Sequence, residues 1–256
     1  MRWFGRRRRE SPDPGNPLQL GLWPARDATP GLHVRISRRA RRLSMRVSPG
    51  GRVEVVVPPG VGIPAIERFV AQHRDWAERR VRDFAAQSPH VAERRPRHVE
   101  LALTGERWAV RCETATRSSV REEEGTLVVR TPRDTDAQVS HALLRWLVRR
   151  MEPELRARLD TVASETGIDY ERMLLRRQRT RWGSCSAAGA ISLNVCLAFQ
   201  RPEVVRYLMV HELCHRRHMN HSARFWALVE SLEPRWKALD RELVRGWRHV
   251  PGWIFG

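Results

Sequence analysis

Two histidines and a glutamate fall within five consecutive residues, His211-Glu212-Leu213-Cys214-His215. Residues four apart on an α-helix project from one face, so His211 and His215 can direct two imidazoles at one metal ion. Glu212 then lies close enough to accept a proton from a metal-bound water without being a ligand itself. This spacing is typical of a zinc site that activates water. We therefore predict one Zn²⁺ per chain, with Glu212 as general base.

A third protein ligand is expected, because a catalytic zinc site usually has three and a single helix cannot surround the ion. His221 is the favoured candidate, and its spacing from His215 equals that in H-E-x-x-H-x-x-G-x-x-H, although position 218 is His rather than Gly. We expect the helix to end at Asn220, which tolerates the left-handed conformation, so that His221 turns back toward the metal. His218, on the same helix as His211, is the alternative ligand with a poorer approach angle.

The composition is strongly basic, with a formal net charge of +18 over 256 residues. Such a charge suggests a polyanionic partner, and nucleic acid is the one we expect at the basic surface. The competing explanation is genome composition, because Lys237 is the only lysine and the excess is nearly all arginine.

The cysteines and apolar segments bear on location. Four cysteines show no spacing of a zinc ribbon or a disulfide framework, and no secretory leader is evident. No apolar run approaches the ~18 residues of a membrane span. The sequence therefore predicts a cytoplasmic protein with reduced thiols and no membrane association.

The chain divides into three predicted regions. Residues 1–30 are a flexible, basic and proline-rich tail. Residues 31–134 form a β-rich section, in which a hairpin with a basic outer face precedes one helix that opens at Pro64. Residues 135–250 form the catalytic core. The predicted fold class is α+β.

The catalytic core is expected to begin with a helix over residues 136–165, which Gly167 ends and Pro153 kinks or breaks. A hairpin follows, whose second strand, 191–197, leads into the H-E-x-x-H helix. That strand can lie along the cleft and pair with an extended peptide. On this view Asn194 hydrogen-bonds the substrate.

Several segments of the second half together match a known pattern: Arg181-Trp182-Gly183-Ser184-Cys185-Ser186, the strand 191–197 with Leu193-Asn194, His211 to His215, Asn220-His221-Ser222 and Phe225-Trp226. They resemble the YgjP-like metallopeptidase family, which is related to the SprT-type, DNA-associated proteases and to the compact zincins called minigluzincins. The resemblance covers roughly 33–245 and is strongest over 176–230. It implies a zincin-like fold, zinc on His211, His215 and His221, and Glu212 as general base.

The predicted function is a zinc-dependent metallopeptidase that cleaves peptide or protein substrates. Arg181 is a candidate substrate-binding residue, and Arg181 and Tyr207 are candidates for stabilising the oxyanion. Two alternatives stay open. Arginines just before the cleft strand could bind phosphates in a nucleotide phosphoanhydride hydrolase, and the chain could be a non-catalytic DNA-binding module with a structural zinc.

Overall fold

The computed structural model describes residues 32–47, 51–87 and 95–255, and the predicted tail 1–30 lies outside this range. The chain divides into two compact units, Met1–Val81 and Arg82–Gly256. The boundary that we predicted between residues 134 and 135 falls inside the second unit, and as a functional division it stays a prediction.

The first unit contains a three-stranded sheet of β1 (Leu32–Ile36), β2 (Ser44–Val47) and β3 (Val53–Val57) in the order β1-β3-β2. The predicted hairpin is the antiparallel pair β2 and β3, while β1 runs parallel to β3. Alternating buried residues of the strands pack against α1 (Ile63–Gln87) through Ile66 and Val70.

A turn between β1 and β2 carries the basic face of this unit. Its backbone is closed by a bond from the Ala40 N–H to the Ser37 carbonyl, 3.0 Å long. Four exposed arginines project from it, namely Arg38, Arg39, Arg41 and Arg42.

The second unit begins with a four-stranded sheet in the order β4-β5-β7-β6. Its strands are β4 (His98–Leu101), β5 (Glu106–Thr114), β6 (Ser119–Glu123) and β7 (Thr126–Thr131). Strand β6 was not predicted, because Val120 is its only apolar residue and a lone valine gives no alternating pattern. It lies at the edge of the sheet and pairs with β7, in which Leu127, Val128 and Val129 are fully buried.

The long helix α2 (Asp136–Thr166) covers this sheet. Thr135 caps its first turn, and Gly167 ends it with a left-handed φ of 62°. The break expected at Pro153 is absent, since the helix runs through this residue. Fully buried side chains on both sides of Pro153, Leu147, Met151, Leu155 and Leu159, anchor both halves to one core.

A second sheet lies just before the histidine helix, with the order β8-β10-β9. Its strands are β8 (Arg172–Arg176), β9 (Gly183–Cys185) and β10 (Ala190–Asn194). The predicted hairpin is confirmed as the antiparallel pair β9 and β10. Our assignment of the second hairpin strand to the cleft edge is wrong, because β8 pairs in parallel with its other side. The edge strand of the hairpin is β9.

Three helices complete the unit: α3 (Pro202–Cys214), α4 (Ala223–Leu232) and α5 (Trp236–Arg245). Strand β10 ends at Asn194, earlier than predicted, and a 3-10 helix over Val195–Phe199 links it to α3. Within the described ranges, no helix has the length and apolar character to cross a bilayer. The α+β class predicted from sequence is confirmed.

Candidate metal centre

The histidine helix α3 is held by its apolar residues. It starts with Pro202 in its first turn and is lined by buried side chains such as Val205, Leu208 and Met209. This packing fixes the helix rotation, so that His211 and His215 leave it on the same side. Their ring centroids lie 5.0 Å apart.

The described residues contain one cluster of histidines suited to a metal ion. His211, His215 and His221 each offer a ring nitrogen, and these atoms all lie within 4.8 Å of one another. The Nε2 atoms of His211 and His221 are 3.1 Å apart. Two nitrogens bound to one tetrahedral zinc at ~2.0–2.1 Å would be about 3.4 Å apart. The three imidazoles therefore fit a single zinc ion, and the alternative ligand His218 is not in the cluster.

The route of the chain to His221 differs from the one predicted. Helix α3 ends at Cys214, and a tight turn follows, with bonds from the Arg217 and His218 N–H groups to the Cys214 carbonyl. Asn220 is not the reversal, since Glu124 is the only described non-glycine residue with positive φ. The earlier turn lets the His218 carbonyl reach Nδ1 of His215 at 3.1 Å.

That contact has a consequence for the imidazole of His215. A ring N–H at Nδ1 that donates to a carbonyl leaves Nε2 as the unprotonated nitrogen, which is the arrangement common among metal-binding histidines. Burial lowers the pKa of His215, and burial together with the two neighbouring imidazoles lowers the pKa of His211 to about 3. Neutral rings are the form that binds a metal.

Helix α4 supports the imidazoles from behind. Ser222 caps it by accepting a hydrogen bond from the Phe225 N–H. Phe225 stacks on His215 at a centroid distance of 4.5 Å, and Trp226 stacks on His221 at 5.6 Å. These direct ring contacts with the histidines were not predicted from the sequence.

Glu212 lies beside the cluster with only 5% of its surface exposed. Strand β9 passes so close that a Cβ atom on Gly183 would be 2.7 Å from Glu212 Oε1. Burial raises the pKa of Glu212 to about 8, opposed by the positive charge of Arg181 and by a hydrogen bond from the Cys185 backbone. Nothing in the sequence except the glycine itself pointed to this close approach.

Arg181 is exposed and lies near Glu212, on which its charge acts. Tyr207 is buried and donates to Asp240 at 2.9 Å, so its hydroxyl is engaged within the core. The candidate role of Tyr207 at the oxyanion is therefore not supported by its position.

Asn194 requires a correction. Its side chain is fully buried and makes three internal hydrogen bonds. The amide nitrogen donates to the carbonyls of Gln178 at 2.8 Å and Arg181 at 2.6 Å, and the amide oxygen accepts from the Cys196 N–H at 3.1 Å. No part of the amide is left for a substrate, and the residue instead ties the preceding loop to the end of β10.

The arginines upstream of β9 bear on the nucleotide alternative. Arg177 donates to the carbonyl of Ile254 at 3.1 Å, and Arg179 donates to that of Phe255 at 3.5 Å. Both guanidinium groups therefore contact the C-terminal segment. In a phosphate site these two guanidinium groups would have to point into the cleft. Their contacts with the C-terminal segment therefore do not favour the nucleotide hydrolase.

A family model for the YgjP-like metallopeptidase domain matches residues 41–245. Among solved structures, the metallopeptidase zymogen abylysin of Pyrococcus abyssi is 25% identical, with 35% of this chain and 92% of that chain covered and a TM-score of 0.33. The zymogen jannalysin of Methanocaldococcus jannaschii is 14% identical, with 35% and 93% covered and a TM-score of 0.32. No curated protein matches the chain significantly. Because the family model spans well over half of the sequence, the protein belongs to the YgjP-like metallopeptidase family.

Proposed function

We propose that the protein is a zinc-dependent peptidase with a zincin-like site, in which His211, His215 and His221 hold the metal and Glu212 is the general base. One observation carries the proposal. Three imidazoles converge on one point, and the buried carboxylate of Glu212 lies beside them without being part of the ligand cluster. A structural zinc has no use for a carboxylate in that position, so this arrangement argues against the non-catalytic DNA-binding alternative.

The reaction divides between the metal and the chain. A zinc ion bound here would polarise a water and the scissile carbonyl. Glu212 takes the proton from the water during attack and delivers it to the leaving amine. Burial raises the pKa of Glu212 in the metal-free site, and a bound zinc ion would favour the carboxylate form that accepts the proton.

We assign substrate binding to the free edge of strand β9. Trp182 and Ser186 bond to β10 through the pairs Asn194 N–H to Trp182 carbonyl and Ser186 N–H to Ala190 carbonyl. In an antiparallel ladder hydrogen-bonded and non-hydrogen-bonded pairs alternate, so Ser184 also bonds β10 while Gly183 and Cys185 direct their backbone groups outward. Gly183 therefore presents its N–H and C=O to the free edge, immediately beside Glu212.

An extended peptide can add to this edge by main-chain hydrogen bonds. Its backbone is then held next to Glu212 and the histidine cluster, whatever its side chains are. This arrangement replaces the pairing with β10 that we predicted, since β10 has no free edge. The peptide is bound by β9, and β10 supports β9 from behind.

The decisive variant is Glu212→Gln, assayed with zinc-loaded protein on a mixture of fluorogenic peptides. We expect about a 10²–10⁴-fold loss of kcat/KM with bound zinc unchanged, because only the proton acceptor is removed. Glu203→Gln, an exposed position in the first turn of the same helix, is the matched control. Unchanged cleavage by Glu212→Gln would refute the assigned base, and loss of zinc would make Glu212 a ligand instead.

Two further expectations stay open. Contact between a basic surface and nucleic acid remains a prediction, and so does the cytoplasmic location. The four cysteines are unpaired in the structure, and their reduced state remains a prediction.

A further inference from the structure

We propose that the preferred substrates are acidic peptides, in which carboxylates on both sides of the segment bound to β9 are recognised by Arg181 and Arg216. This inference rests on the proposed peptidase function and names the substrate class of that site. It is carried by the position of two guanidinium groups at opposite ends of one short edge strand.

Arg181 lies at the start of this strand, on the same side as the catalytic carboxylate. Successive residues of an extended chain point to opposite faces, so Arg181 and Gly183 share a face while Trp182 points the other way. Trp182 is indeed buried and stacks on Trp247 at 4.1 Å. Gly183 faces Glu212, and the charge of Arg181 acts on that carboxylate.

Arg216 lies at the other end, over the turn that follows β9. A Cβ atom on Gly189 would be 2.7 Å from the Arg216 Cζ, so the guanidinium rests directly on that glycine. Its Nε donates to the carbonyl of Asp169 at 3.1 Å, which fixes the side chain. Its positive charge reaches the thiol of Cys185, the last residue of β9.

Neither guanidinium forms an ion pair within hydrogen-bonding distance in the described residues, although the charge of Arg181 acts on Glu212. In the described part of the chain, Arg181 has no side-chain hydrogen bond or ion pair, and Arg216 bonds only a carbonyl. Apart from Glu212, on which Arg181 acts, the neighbouring segments 176–194 and 213–224 contain no Asp or Glu. By contrast, Arg201 binds Glu242 at 2.7 Å and Arg206 binds Glu233 at 3.1 Å. Arg181 and Arg216 therefore keep guanidinium donors that an external partner can bind.

The chemistry of that partner follows from the guanidinium group. Its planar donors match the two oxygens of a carboxylate. Residues 181 and 186 are separated by roughly 16 Å of extended chain at ~3.3 Å per residue. A peptide of about that length on β9 therefore meets one cation near each end, and acidic side chains there would be bound while basic ones would be repelled.

A set of fluorogenic peptides tests this. A peptide that the enzyme cleaves is remade with Glu, Gln or Lys at each flanking position and with a free or an amidated C-terminus. We expect kcat/KM to be about tenfold higher for Glu than for Gln at one position on each side. The amidated peptides show whether the carboxylate comes from a side chain or from the chain end, and an effect confined to free C-termini would overturn the side-chain assignment.

Variants assign each position to an arginine. Arg181→Gln should abolish the preference on one side and Arg216→Gln that on the other, while Arg172→Gln, on the far edge strand β8 of the same sheet, should change neither. Arg181→Glu should reverse the preference toward Lys at its own position, which a merely structural role would not do. The binding affinity of the same peptides to Glu212→Gln protein should follow the same order.

The outcomes separate the two proposals. If zinc-loaded enzyme cleaves no peptide, the proposed function fails and this inference falls with it. If Glu, Gln and Lys peptides are cleaved equally well, the peptidase stands and the recognition of acidic peptides is wrong. An unchanged preference in both Arg181→Gln and Arg216→Gln would also overturn it.

Discussion

Strands β9 and β10 are neighbours in one sheet and serve opposite purposes. In β10, Ile191 and Leu193 are fully buried, and Asn194 closes the strand with three internal hydrogen bonds. In β9, every residue is partly exposed, and Gly183 leaves room for the Glu212 carboxylate. A single ladder of hydrogen bonds therefore separates a mostly buried strand from the partly exposed strand to which we assign the substrate.

The two strands differ in how much buried apolar surface each contributes to the free energy of folding. Each fully buried Ile or Leu stabilises the folded state by about 1.5–3 kcal/mol relative to an exposed one. Strand β9 has no such residue, and its neighbour Trp182 supplies the buried anchor instead. Strand β9 is held by its pairing with β10 and by the buried Trp182 at its start, so its outer edge need not pack against the core and can bind a peptide.

The largest effect is expected at Asn194. Asn194→Ala leaves the carbonyls of Gln178 and Arg181 and the Cys196 N–H without partners in a buried place. We expect a loss of about 3 kcal/mol of unfolding free energy, or about 6–12 °C in Tm. Thermal and urea unfolding measure this, and Ser192→Ala on the same strand is the control. A Tm within 2 °C of wild type, on the order of the control's change, would show that the amide does not stabilise β10.

Gly183→Ala tests the other strand. The backbone of Gly183 has no positive φ, so alanine is tolerated there, but its Cβ would lie 2.7 Å from Glu212 Oε1 and would displace the carboxylate. We expect kcat/KM to fall about 30-fold, equivalent to about 2 kcal/mol, with little change in Tm. Ser184→Ala, on the opposite face of β9, should retain activity. Full activity in Gly183→Ala would mean that the close approach is unimportant.

The reactivity of two cysteine thiols gives a further test of the difference in burial between β9 and β10, and here the expected effect is smaller. Cys185 ends β9 and is partly exposed, whereas Cys196 follows β10 and is fully buried. Burial raises the pKa of Cys196 to about 12, so it stays a protonated, unreactive thiol at pH 8. A thiol reagent at that pH should label Cys185 in the folded protein and Cys196 only after unfolding, with Cys185→Ser as the control. If Cys185 and Cys196 were labelled at the same rate in the folded protein, the two strands would not differ in burial as described.

The buried thiol also gives the direction of a pH effect. Its pKa in the unfolded chain is near the ordinary value of 9.0 and its folded value is higher. The stabilisation is therefore fully present below about pH 9 and is lost as the pH rises toward about 12, because the unfolded thiol ionises first. Cys196→Ala should flatten this alkaline loss of stability.

The sequence was informative wherever a spacing had one physical meaning. The i, i+4 histidines meet His221 as predicted, Gly167 ends its helix, and Ile191 and Leu193 alternate inward, although α3 and β10 both end earlier than predicted. These features are local, since helix geometry or strand alternation fixes which side chains meet.

The failures concern contacts between segments that are distant in the sequence. Strand β8 could not be assigned to the second side of β10, and so Asn194 was placed at a substrate edge that is covered. The approach of Gly183 to Glu212 and of Arg216 to Gly189 depends on tertiary packing, which has no periodicity to read. Glycine was the sole local sign of either approach.

The central claim is that three histidines hold one catalytic zinc, and elemental analysis of purified protein tests it most directly. We expect one zinc per chain in the wild type, a large loss in His221→Ala, and full retention in His218→Ala, which changes a neighbouring histidine outside the cluster. Full zinc content in His221→Ala would contradict the proposed ligand set. A wild-type protein that takes up no zinc after reconstitution would contradict the zinc peptidase itself.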